Sequence, residues 1–206
     1  MQPDFASFAR AYDSGRPQAI YTRLIADLET PVSAFLKLAE GRDNAFLLES
    51  VQGGETRGRY SIIGLRPDLI WRCQGATAEI NRQALNKDSF SPLKEKPLDS
   101  LRALIAETKM ALPEGLPPMA VGLFGYLGYD MVRQMEKLPN MPPDRLGLPD
   151  AILLRPTITA CSMEATSFGS VASGTFAVAS IATMARWAFR LASRAISAPS
   201  ISELME

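Results

Sequence analysis

Apolar and polar positions alternate along the first three quarters of the chain in short blocks, each closed by a turn signal or a charged stretch. Phe5 to Tyr12 has helical spacing and predicts a short amphipathic helix, and Gln18 to Ala26 predicts a strand. Thr30-Pro31 then reads as a helix start, a capping hydroxyl followed by proline at the first helical position. The helix through Phe35, Leu36 and Leu38 is expected to end at Gly41 in a left-handed cap. Four strands are expected next, over Ala45 to Val51, Arg59 to Gly64, Leu69 to Cys73 and Thr77 to Asn81, with Gly53-Gly54 and Pro67-Asp68 as turns. Asn86 to Pro97 reads as a polar connection. A helix from Leu98 to Met110 follows, with Leu101, Leu104 and Ile105 on one face, and Pro113 to Pro118 breaks it. Met119 to Tyr126 and Ala151 to Leu154 complete the strands. Helices and strands mix without a strict βαβ rhythm, which predicts an α+β fold of mostly antiparallel sheet with packed helices.

The pattern fades after Pro156. From Thr157 to Ser200, 19 of 44 residues are Ala or Ser, and no acidic residue lies between Glu164 and Glu203. Residues 1–156 are therefore expected to form one domain and 157–206 an Ala/Ser-rich tail of uncertain fold. Three readings of the tail stand side by side: an Ala-rich helix pair, a membrane span over Ala165 to Ala185, or residues never selected to fold with the rest, as after a shift of reading frame. The span is the weakest, since that stretch is full of Ser, Thr and Gly rather than ~20 strongly apolar residues.

Composition narrows the chemistry. Lys plus Arg equals Asp plus Glu, so no net field favours nucleic acid or an anionic membrane, and neither partner is expected. The chain has no histidine, which removes Ser-His-Asp and Cys-His nucleophile systems and His-ligated metal sites. Cys73 and Cys161 lie far apart without CxxC spacing, so a disulfide scaffold is not expected and a reducing cytoplasm is the default. The start, Met1-Gln2-Pro3-Asp4, lacks the basic and apolar run of a signal peptide.

Three segments carry more information than composition. Phe46-Leu47-Leu48-Glu49-Ser50 is an apolar strand that delivers a carboxylate and a hydroxyl at its end. Gly58-Arg59-Tyr60-Ser61-Ile62-Ile63-Gly64 follows after a Gly53-Gly54-Glu55 turn. Gly122-Leu123-Phe124-Gly125-Tyr126-Leu127-Gly128-Tyr129-Asp130 comes later, with glycines at every third position. That spacing is not the dinucleotide fingerprint; it predicts close backbone packing, with Asp130 capping or pairing with Arg133.

In this order and at these separations the three segments resemble the N-terminal region of anthranilate synthase component I, from about Ala19 to Pro156, with Leu148-Pro149-Asp150 also in place. The resemblance implies a large subunit that converts chorismate to anthranilate and pyruvate with Mg²⁺ and ammonia from a glutamine amidotransferase subunit. It implies that this region carries the feedback site for L-tryptophan, at Ser50 first, with Leu48 and Glu49 beside it and Arg59 and Tyr60 nearby. The family's chorismate site and its Mg²⁺-binding glutamates belong to a following C-terminal domain. The sequence departs from the family after Pro156, which favours the frame-shift reading of the tail. The resemblance thus implies no catalytic residues, no metal site and no synthase activity in this chain alone. A non-catalytic amino-acid-binding module and a fragment of aminodeoxychorismate synthase component I remain the alternatives.

Overall fold

The computed structural model describes residues 1–26, 28–49, 60–114, 116–163 and 175–182. They form an α+β fold built on antiparallel sheet, as the mixed pattern predicts. The elements in chain order are α1 (Phe5–Asp13), β1 (Gln18–Ile25), α2 (Pro31–Ala39), β2 (Phe46–Glu49), β3 (Tyr60–Gln74), β4 (Thr77–Asn81) and β5 (Ser91–Pro92). Then come α3 (Pro97–Thr108), β6 (Phe124–Leu127), a 3-10 helix over Tyr129–Gln134, β7 (Ala151–Met163) and β8 (Thr175–Ala182). Two compact units divide them. The first comprises Met1–Arg66, Met110–Val121 and Pro156–Glu206, and the second comprises Pro67–Lys109 and Gly122–Arg155. The long strands β3 and β7 each supply residues to both.

In the first unit β8 pairs with β1 on one side and with β7 on the other, and β2 pairs with the start of β3. The helices form where local chemistry allows. The Asp4 carboxylate accepts the Ser7 backbone N–H at 3.0 Å and so caps α1. Thr30 and Ser33 cap α2 reciprocally: Thr30 Oγ1 accepts the Ser33 N–H at 3.0 Å and Ser33 Oγ accepts the Thr30 N–H at 2.9 Å. Past the end of α2, Gly41 takes the expected left-handed conformation, φ 64°. Ala34 and Leu38 of α2 bury themselves against Ile63, Leu65, Ile158 and Ala160, while Phe8 of α1 packs on Ile20. The compositional break at Pro156 falls inside β7. Thr157 to Cys161 are buried, and Thr159 donates its hydroxyl to the Ala120 carbonyl. Residues 164–174 and 183–206 of the tail lie outside the described residues, and 175–182 is strand. Among the described residues no helix is long and apolar enough to cross a membrane.

In the second unit β6 pairs with β7, and β4 lies between β3 and β5. The core comprises Leu69, Trp71 and Cys73 from β3, Ala78 and Ile80 from β4, Leu101 and Leu104 from α3, Met131 from the 3-10 helix and Ala151 from β7. Ile105, expected on the same face, is 53% exposed. One residue past Leu104 on a helix is a turn of about 100°, enough to carry it off the buried stripe. The connection over Asn86 to Pro97 holds the short strand β5, and the expected strand from Met119 contracts to Phe124–Leu127.

Arg59 to Gly64 and Leu69 to Cys73 do not form two strands with a turn between them. β3 runs unbroken from Tyr60 to Gln74. Arg66 is left-handed, φ 50°, and its carbonyl accepts the Thr157 hydroxyl at 2.8 Å. Asp68 is held by a two-pronged ion pair with Arg155, both contacts 2.8 Å. Partners on β7 thus hold the residues that read locally as a turn, and the irregularity survives only as a kink in one strand.

Both cysteines are free and buried. Burial raises each thiol to about 11, helped at Cys73 by the nearby Asp150 carboxylate. Native protein is therefore expected to react slowly with a thiol reagent at pH 8, releasing two equivalents only after denaturant is added. Because the folded values lie above the ordinary 9.0, the thiol contribution to stability is complete below pH 9 and is lost as pH rises through 11. Urea midpoints measured from pH 7 to 11 check the sign.

Candidate functional site

β2 and the beginning of β3 form the antiparallel pair that carries two of the three sequence signatures. The register places Phe46 opposite Gly64, Leu47 opposite Ile63, Leu48 opposite Ile62 and Glu49 opposite Ser61. Side chains alternate across a strand, so this register sorts the residues into two faces. Leu47, Ile63 and Leu65 face the core beneath α2. Phe46, Leu48, Tyr60, Ile62 and Gly64 lie on the other face.

This sorting separates the expected ligand residues. Leu48 and Tyr60 share one face, where Leu48 is 45% exposed and Tyr60 half-buried. Glu49 is exposed at the end of β2 and belongs by alternation to the face of Leu47. Ser50 and Arg59 lie outside the described residues. Leu48 is among the ligand residues that the resemblance implies, whereas Phe46, two positions earlier on the same face, is not. Strict alternation was the available signal.

The third signature performs the packing its glycines predict. A Cβ on Gly125 would overlap the carbonyl of Ile152 on the paired strand, and one on Gly128 would stand 2.8 Å from the carbonyl oxygen of Asp150. Gly122 meets no neighbour; it has φ +152°, a conformation side chains disfavour. Asp130 accepts from Arg133 Nε at 2.7 Å. Asp150 ties two loops, its carboxylate accepting the Gly75 N–H at 2.6 Å and its carbonyl accepting the Gly128 N–H at 2.7 Å.

A concavity of about 330 Å³ lies beside the β3–β4 turn, lined by Arg72, Cys73, Gln74, Thr77, Glu79, Gly147 and Pro149. Its two charges satisfy each other, Arg72 pairing with Glu79 at 2.8 Å and covering the Phe90 ring. Among the described residues no three His, Cys, Asp or Glu side chains converge as metal ligands.

No family model matches the chain. It is 57% identical over 157 residues to anthranilate synthase component 1 of Cereibacter sphaeroides, covering 76% of this chain and 31% of that one. It is 39% identical over 155 residues to the protein of the same name from Mycolicibacterium smegmatis, covering 75% and 28%. With the Synechocystis protein of that name the figures are 35% over 156 residues, covering 75% and 30%. The chain thus spans about 30% of the length of the curated relatives it matches. Among solved structures, anthranilate synthase component I from Streptococcus pneumoniae TIGR4 shares the fold with a TM-score of 0.50 at 20% identity, over 90% of this chain and 39% of that one.

Proposed function

Because this chain belongs with the anthranilate synthase component I proteins over the three quarters of its length that align, we propose that it carries their tryptophan-sensing element rather than their catalytic centre. The observation that carries the reading is the shared face of Leu48 and Tyr60 on the β2–β3 pair, apolar along its length and open at Leu48. Tryptophan presents an indole, an ammonium and a carboxylate. The indole lies on the Leu48–Tyr60 face, and covering an aromatic of ~150–250 Å² contributes about 4–6 kcal/mol gross. Ser50 and Arg59 serve the ligand's polar groups, while Glu49, turned to the other face by alternation, acts on the ammonium only through its charge at the strand end.

In this reading the chorismate chemistry, the Mg²⁺ ion and the glutamine amidotransferase subunit act with sequence beyond the matched 31% of the Cereibacter sphaeroides relative's length. The names of the matched relatives favour the anthranilate branch over the aminodeoxychorismate one.

Titration calorimetry of the 206-residue chain is the test. L-Tryptophan is expected to bind at micromolar affinity, about −8 kcal/mol, more tightly than L-phenylalanine. Ser50→Ala is expected to weaken it about tenfold, the effect of losing one hydrogen bond to a charged group. No detectable tryptophan binding would sink the proposal. In a parallel assay with chorismate, Mg²⁺ and ammonia the chain is expected to give no anthranilate, and turnover above the buffer rate would overturn its assignment as non-catalytic.

A further inference from the structure

Gly64 lies inside a strand, where a glycine weakens the ladder and packs nothing. Its φ is not among the positive ones, so the backbone does not demand it. What demands it is Phe46. The two residues are directly opposite on β2 and β3, and a Cβ on Gly64 would overlap Cε1 and Cζ of the Phe46 ring. The ring therefore leans across the strand pair onto bare backbone, where an aromatic covers a glycine and pins the register. Strand side chains ordinarily stand out from the sheet. A ring standing there would crowd the next position on its face, Leu48, which instead is 45% exposed.

We propose that Phe46 and Gly64 are a positioning pair for the ligand face: Gly64 seats the Phe46 ring, and the seated ring keeps the surface over Leu48 open and forms its end wall. This rests on the tryptophan reading above and adds two residues that the sequence motifs did not mark as ligand contacts. Any side chain at position 64 displaces the ring from its seat, and Leu48 is the next residue of β2 on that face. The ring would then occupy the place of the ligand while the strand pair persists.

The test is a double-mutant cycle read by tryptophan titration calorimetry, with far-UV circular dichroism as the check on folding. Gly64→Ala is expected to weaken binding about tenfold, with the spectrum unchanged. Phe46→Ala alone, which removes one wall but blocks nothing, is expected to weaken it about threefold. In the Phe46→Ala background, Gly64→Ala is expected to add less than about twofold, because there is no ring left to displace. Additive losses, or wild-type affinity in Gly64→Ala, would overturn the proposal. Should Gly64→Ala fail to fold, Phe46→Leu decides: about threefold weaker binding supports the wall, and unchanged affinity removes it. Absence of binding in the unsubstituted chain defeats the parent reading and this one together, whereas normal binding with no coupling between 46 and 64 defeats this one alone.

Discussion

Trp71→Ala is expected to destabilise the fold by about 3–5 kcal/mol, a large part of the ~5–15 kcal/mol that holds an ordinary domain together. Trp71 has no exposed surface and stands at the centre of the second unit's core, among Leu69, Cys73, Ile80, Leu101 and Leu104. Its indole N–H donates to Ser100 Oγ at 3.1 Å, and Ser100 in turn donates to the Pro97 carbonyl at 2.9 Å. Truncation opens a cavity between β3 and α3 and removes the donor that satisfies a buried serine. Trp71→Phe keeps most of the apolar volume and loses only the N–H, so about 1–2 kcal/mol is expected. Urea unfolding checks both, the midpoint falling with the slope unchanged. A loss below about 1 kcal/mol for Trp71→Ala would show that α3 does not pack on β3 as described.

Gly125→Ala is expected to cost about 3 kcal/mol or more, because two penalties fall on one residue. The added methyl would collide with the Ile152 carbonyl of the paired strand, and that atom is backbone, which cannot rotate away. The residue also has φ +152°, which an L side chain rarely adopts. Its two companions separate the effects. Gly128→Ala places its methyl 2.8 Å from the Asp150 carbonyl without a positive φ, and Gly122→Ala has the positive φ without a neighbour. Each is expected to cost less than Gly125→Ala, about 1–2 kcal/mol. Urea midpoints of the three variants give the order, and hydrogen exchange along β6 locates the damage. Equal losses at all three positions would mean that the steric argument at Ile152 is wrong.

Much of the local structure was legible in the chain because its causes are local. Thr30, Pro31 and Gly41 fix both ends of α2 through their own hydroxyl, ring and missing side chain, with no help from distant residues. The every-third glycines announced close packing, and Gly125 and Gly128 do approach the backbone of β7. The apolar run from Phe46 to Leu48 announced a strand. The faces that sort Leu48 from Glu49 were present in principle, since alternation is a property of any strand.

Errors arose where partners lie far apart in sequence. Pro67-Asp68 has the local chemistry of a turn, yet Arg155 and Thr157, respectively 87 residues from Asp68 and 91 from Arg66, hold it within one strand. Pro156 marks a drop in charge and a rise in Ala and Ser, and composition left the fold of the residues beyond it open. The sheet continues through it, because a buried central strand requires small or apolar residues rather than a polar face. Nothing in the sequence around Gly64 explains that glycine; the ring of Phe46, eighteen positions earlier, does.

By itself, then, the sequence determined the helix ends, most strand positions, the α+β class and the family signatures, all consequences of backbone preference and short-range spacing. Only the tertiary structure decided which strand lies beside which, that β3 is one strand, that Trp71 anchors a core, and that Phe46 leans on Gly64. Each of these depends on the approach of residues distant in the chain, and pairwise packing between such residues leaves no trace in the order of either neighbourhood.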